Sequence, residues 1–142
     1  MRAALGGAVL VGAMVFAVTA HAEVIHFRAR LTGAGESPPN ASRGAGAAEL
    51  TLDTDTKQLS WRVTYSGLSG PVTGAHFKTP PEPGAAVSSS MDFSRPLNSP
   101  IVSSARLNDI EIGDLRAGLW SVNLLTARYP QGEISGDLDQ TP

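Results

Sequence analysis

The stretch Ala48-Glu49-Leu50-Thr51-Leu52-Asp53-Thr54-Asp55-Thr56-Lys57-Gln58-Leu59-Ser60-Trp61-Arg62-Val63-Thr64-Tyr65 decides the fold class. Ala48, Leu50 and Leu52 alternate with Glu49 and Thr51, a period of two that sends one side of the chain into a core. The polar run 53–57 turns the chain, and Leu59, Trp61 and Val63 resume the alternation. This pattern predicts a β-hairpin.

Upstream, Ile25, Phe27, Ala29 and Leu31 alternate with His26, Arg28 and Arg30, so residues 24–31 read as a strand with one buried face, ended by Gly33-Ala34-Gly35. Downstream, Gly67-Leu68-Ser69-Gly70-Pro71 breaks the chain before a strand at 72–78. Thr79-Pro80-Pro81-Glu82-Pro83-Gly84 donates too few backbone hydrogen bonds for a central strand and reads as a surface loop. Residues 85–99, rich in Ser and Pro, read as an edge strand followed by a loop, and 101–107 as a strand. Residues 109–118 fit either a strand or a short helical turn, because Ile110, Leu115 and Leu119 do not settle on period two. Strands follow at 120–126 and 133–138, separated by the turn Tyr129-Pro130-Gln131-Gly132. Short strands at intervals of roughly ten residues, with no long helix and no internal repeat, predict an all-β, two-sheet antiparallel sandwich, immunoglobulin-like or superoxide dismutase-like.

With 142 residues the chain has room for one well-cored domain, and 15 Gly with 10 Pro suit a turn-rich β architecture. Residues 1–22 are of another kind. Met1-Arg2 is a positive start, residues 3–18 are an unbroken apolar and small run, and Ala20-His21-Ala22 fits the small-x-small cleavage rule. Residues 1–22 are therefore expected to be a secretory signal peptide and 23–142 the exported domain, secreted or periplasmic. The run is shorter than the ~20 residues that cross a bilayer, and no second apolar stretch approaches that length, so no membrane span is expected after cleavage. The chain has no cysteine, which excludes disulfides, thiolate chemistry and lipoprotein anchoring. A formal net charge of −2 and the lack of any Lys/Arg cluster argue against nucleic acid or an anionic membrane as partner.

Several phrases occur in an order that resembles the CHRD family, the module named after chordin. They are Phe27-Arg28-Ala29-Arg30-Leu31-Thr32-Gly33 with Glu36-Ser37-Pro38-Pro39, Leu59-Ser60-Trp61-Arg62-Val63 with Gly67-Leu68-Ser69-Gly70, and Ala75-His76. After them come Leu119-Trp120-Ser121-Val122-Asn123 and Tyr129-Pro130-Gln131-Gly132-Glu133-Ile134-Ser135-Gly136. The resemblance covers nearly all of the exported part. Members of that family typically carry His-x-His-Gly where this chain has His76-Phe77-Lys78-Thr79, and Asn-x-His-Thr where it has Asn123-Leu124-Leu125-Thr126. Residues 76 and 78 share one strand face, as do 123 and 125, so the resemblance implies imidazoles converging on a copper- or zinc-like ion. This chain keeps one imidazole of three, and the Lys78 ammonium opposes a cation. His76, Lys78, Asn123, Leu125 and Thr126 are accordingly read as a candidate ligand-facing surface, with no metal and no other cofactor expected.

Other residues carry plainer readings. His26 sits on an outward face, and Trp61 and Trp120, in phase with Val63 and Val122, read as core. Glu36-Ser37-Pro38-Pro39 fits equally a binding loop and a stiffened connection. Asp53 and Asp55 lack the Gly and distal Glu of a calcium loop and suit an Asx turn. Glu133 and Asp137 read as two carboxylates on a solvated strand face. Ser66, Ser69 and the serines at 88–90 stand in no nucleophile motif. The expected function is an exported, non-enzymatic CHRD-like binding or structural domain of the cell envelope or extracellular space, its partner an unspecified protein or envelope component. The alternative is a copper- or zinc-binding protein, or a superoxide dismutase-like enzyme, using the His76 face.

Overall fold

The computed structural model describes residues 6–15, 23–84 and 88–142. The cleavage motif Ala20-His21-Ala22 lies outside the described residues, and residues 6–15 are exposed without regular structure. Among the described residues, no helix is long and apolar enough to cross a membrane.

The alternating segments become strands: β1 (Val24–Thr32), β2 (Ala45–Asp53), β3 (Gln58–Ser66), β4 (Val72–Thr79), β5 (Ser89–Asp92), β6 (Ile101–Arg106), β7 (Ser121–Thr126), β8 (Ile134–Asp137) and β9 (Asp139–Gln140). The hairpin that opened the reading pairs from Ala45 opposite Ser66 to Asp53 opposite Gln58. At its turn the Asp53 carboxylate accepts from the backbone N–H groups of Asp55 and Thr56, at 2.9 and 3.1 Å, which makes it an Asx turn. Residues 109–118, open between strand and helical turn, contain helix α1 (Asp109–Arg116). Its capping box decides the matter: Asn108 Oδ1 accepts from the Glu111 N–H at 2.8 Å, and Glu111 Oε1 accepts from the Asn108 N–H at 3.0 Å.

Strand pairing corrects one expectation. Rather than two separate sheets, the ladder runs continuously in the order β5-β4-β7-β8-β1-β2-β3-β6, with β9 also pairing β1. The junction between β8 and β1 is narrow, with Thr32 opposite Ser135 as its registered pair, and β9 continues along the same edge of β1. The sheet curls. β3 and β4 stand near opposite ends of the strand order, yet the Trp61 ring lies edge-on to Phe77 with centroids 5.0 Å apart. Phe77 also meets Phe93 at 4.6 Å and Trp120 at 5.4 Å. Such aromatic pairs contribute about 0.5–1.5 kcal/mol each beyond area burial, and here they close the concave side. Trp61 and Trp120 are core residues, as their phase with Val63 and Val122 implied.

The narrow junction depends on a missing side chain. A Cβ placed on Gly136 would strike the backbone carbonyl of Arg30 in β1, an atom that cannot move without shifting the strand. Gly136→Ala is therefore expected to cost about 1–3 kcal/mol by overpacking. Thermal unfolding followed by circular dichroism measures this, and an unchanged melting temperature would contradict the close approach of β8 to β1.

Candidate functional site

The polar residues that the strands do not consume gather at one end of β7 and β8. Glu133, just before β8, is fully buried. Its carboxylate accepts from Ser42 Oγ at 2.8 Å, Thr126 Oγ1 at 2.8 Å, the Ser69 N–H at 2.9 Å and the Ser69 hydroxyl. Asn40 adds a hydrogen bond from its Nδ2 to the Glu133 carbonyl at 3.0 Å, while its Oδ1 accepts from the Ser42 N–H. Burial opposes ionisation of Glu133, but the hydrogen bonds from Ser69, Thr126 and Ser42 outweigh it and hold the carboxyl below its ordinary pKa. This corrects the reading of Glu133 and Asp137 as a solvated pair, for Asp137 alone is exposed. Strand parity fails at Glu133 because the backbone turns at Gly132, whose φ is +138°.

The second polar group lies on the convex face of β4 and β7. His76 pairs with Asn123, Lys78 with Ser121, and Leu125 with Gly74, so His76, Lys78, Asn123 and Leu125 share that face. Thr126 does not belong with them. In phase with buried Val122 and Leu124, it turns inward and donates to Glu133. Along the strands, positions 78 and 125 flank His76 on opposite sides, each displaced by about 7 Å. Asp92 of β5 stands opposite His76 on its other side. Burial lowers the His76 pKa, the Lys78 charge lowers it further, and Asp92 opposes both, so the imidazole is neutral at neutral pH. Among the described residues, no group of three or more His, Cys, Asp or Glu side chains is placed to hold a metal ion.

Asn123 is fully buried although it lies on the convex face, because the segments 36–40 and 128–133 fold over it. Its Nδ2 donates to the Gln131 carbonyl at 3.0 Å. Its Oδ1 has no partner, and neither has Glu36 Oε1. Both carboxyl and carboxamide oxygens crowd the space above Gly132, where a Cβ would lie 2.5 and 2.6 Å from the two Glu36 oxygens and nearer still to Asn123 Oδ1. Beside them opens a cleft of about 460 Å³ whose walls include Pro38, Pro39, Lys78, Arg128 and Tyr129. The Arg128 guanidinium sits over the Tyr129 ring at 5.6 Å. A second hollow, of about 440 Å³, lies between the proline loop and α1, bordered by Trp120.

The family model of the CHRD domain matches residues 27–138. The chain belongs to the CHRD family. No curated protein and no solved structure matches it.

The phrases that carried the resemblance meet in space within this CHRD domain. Gly67-Leu68-Ser69-Gly70 delivers Ser69 to the carboxylate that Tyr129-Pro130-Gln131-Gly132-Glu133 supplies. Glu36-Ser37-Pro38-Pro39 and Tyr129-Pro130-Gln131-Gly132 form facing walls of the cleft. The strand period placed His76, Lys78, Asn123 and Leu125 on one face, but Glu133 was read as solvated and Ser42 and Asn40 were not singled out. The available signal was the density of short hydroxyl and amide residues in the loops that converge there.

Glu133 sets an acid limit on stability. Its folded pKa lies below the ordinary 4.5, so its contribution is complete above that value and disappears as pH falls through the folded one. Glu133→Gln is expected to lose about 2–3 kcal/mol at neutral pH, since donors then face an amide that can accept at one atom only. Urea unfolding at neutral pH and at acid pH measures both effects, with a smaller gap between wild type and variant at acid pH. A pH-independent gap would contradict an ionised Glu133.

Proposed function

We propose that this CHRD domain is an exported, non-catalytic binding domain of the cell envelope or extracellular space, with the cleft and the adjoining convex face of β4 and β7 as its contact surface. CHRD domains are found in extracellular and secreted proteins, and the apolar leader of residues 3–18 fits export. One observation carries the reading. Among the described residues, Glu133 is the carboxylate held ionised by a buried hydrogen-bond network, and its oxygens are engaged by Ser42, Ser69 and Thr126, which suits a structural clamp rather than a proton-transfer group. The cleft instead offers rigid proline walls, an aromatic ring and two cations, features suited to holding a partner.

The cleft and the His76 face adjoin, so one partner can cover both. The metal-binding alternative draws no support from the geometry: positions 78 and 125 carry an ammonium and an isobutyl group on either side of a neutral His76. The protein purified from its native compartment without chelator is expected to contain no stoichiometric copper or zinc by elemental mass spectrometry. One equivalent of either metal, bound through His76, would overturn the non-metal reading.

A further inference from the structure

The Asn123 carboxamide lies between two sets of acceptors. On one side is the Gln131 carbonyl, which receives its Nδ2. On the other is the Glu36 carboxyl, whose Oε1 and the Asn123 Oδ1 both crowd the space above Gly132 without a donor, although the Ser135 hydroxyl hydrogen-bonds the same carboxyl. Rotating the amide by half a turn exchanges one conflict for another, because Oδ1 would then face the Gln131 carbonyl. Glu36 is only 9% exposed and Asn123 not at all, so water does not reach the two unpartnered oxygens. Two buried acceptors left against each other are costly, and a single proton on Glu36 removes the conflict by making the carboxyl a donor to Asn123 Oδ1.

Resting on the binding-face reading above, we propose that Glu36 shares a proton with Asn123 Oδ1, and that the cleft, its charge thereby left to Lys78 and Arg128, binds an acidic peptide segment of a partner protein. A neutral Glu36 is what lets charge complementarity work. Ionised, it would cancel one of the two cations lining the same walls. Burial raises the Glu36 pKa, and outweighs the Lys78 charge and a hydrogen bond from the Ser135 hydroxyl, both of which lower it. The other charged and titratable groups nearby are His76 and Asp92, one row along from Lys78, Asp137 at the end of β8, Tyr129 beside Arg128, and Glu133 after Gly132, whose charge is enclosed on the inner side by Ser42, Ser69 and Thr126. Pro38, Pro39 and Pro130 supply apolar walls against which an extended peptide lies.

The test uses the whole exported chain and acetyl-tetraaspartate amide as probe, with acetyl-tetralysine amide as its opposite, followed by nuclear magnetic resonance of the Gly132 N–H and the Asn123 side-chain amide. Tetraaspartate is expected to shift both signals. Lys78→Ala with Arg128→Ala should weaken binding about tenfold, while melting stays close to wild type because neither side chain is buried. Glu36→Gln, a permanently neutral side chain of the same shape, should bind as tightly as wild type under mildly acidic conditions and more tightly at higher pH, once wild type has lost its proton. This comparison also separates Glu36 from His76, whose titration both proteins share. Absence of any tetraaspartate shift overturns the proposal. Shifts with tetralysine instead would preserve the binding face and overturn the ligand class. Tighter binding by Glu36→Gln already at mildly acidic pH would mean that Glu36 is ionised there, and would overturn the shared proton.

Discussion

A single buried carboxylate organises this domain. Glu133 receives donors from the loop after β1, the loop after β3 and the end of β7, and its own N–H donates to the Leu124 carbonyl at 2.7 Å. These segments are distant in sequence, as the separations of 91 and 64 residues to Ser42 and Ser69 attest. A buried charge is tolerable only when its lone pairs are filled, and here hydroxyl and backbone donors fill them without a cationic partner. Each loop is consequently held in one arrangement. That rigidity places Glu36, Asn40 and Gln131 around Asn123 and gives the cleft its walls.

The curled sheet supplies the frame in which the clamp works. Phe77, touching Trp61, Phe93 and Trp120, closes the concave side and brings the two halves of the strand order together. At the opposite seam β8 meets β1 through few registered pairs, so hydrogen bonding there is sparse. The Glu133 network sits at that end of β8, supplementing backbone pairing with side-chain bonds. Apolar closure on one side and a polar clamp on the other are complementary solutions to the same weak junction.

The strands were legible because period two depends on neighbouring residues alone: Ile25 to Leu31 and Leu50 to Val63 announce their buried face directly. The pairing of β4 with β7 was anticipated only through the family's histidine pattern, and that of β3 with β6, which joins segments far apart in the chain, was not legible, so a continuous curled sheet read as two layers. The helix α1 carried a readable signature in Asn108 and Glu111 that weak apolar periodicity obscured. Thr126 could have been assigned inward from its phase with Val122 and Leu124. Glu133 could not, because extrapolating β8 backwards through Ser135 points it outward, and only the turn at Gly132 reverses it. The burial of Asn123 was likewise hidden, for it comes from loops covering the face rather than from the strand itself.

If Glu133 clamps the loops as its hydrogen bonds indicate, they open only when the domain unfolds. Native-state hydrogen exchange at the Ser69 N–H tests it most directly, because this amide lies in a loop and its donor role is to the Glu133 carboxylate. Ser69 is expected to exchange as slowly as the amides of Leu124 and Val63 in the core strands. Exchange at the rate of an unprotected loop amide, with those strands still protected, would contradict it.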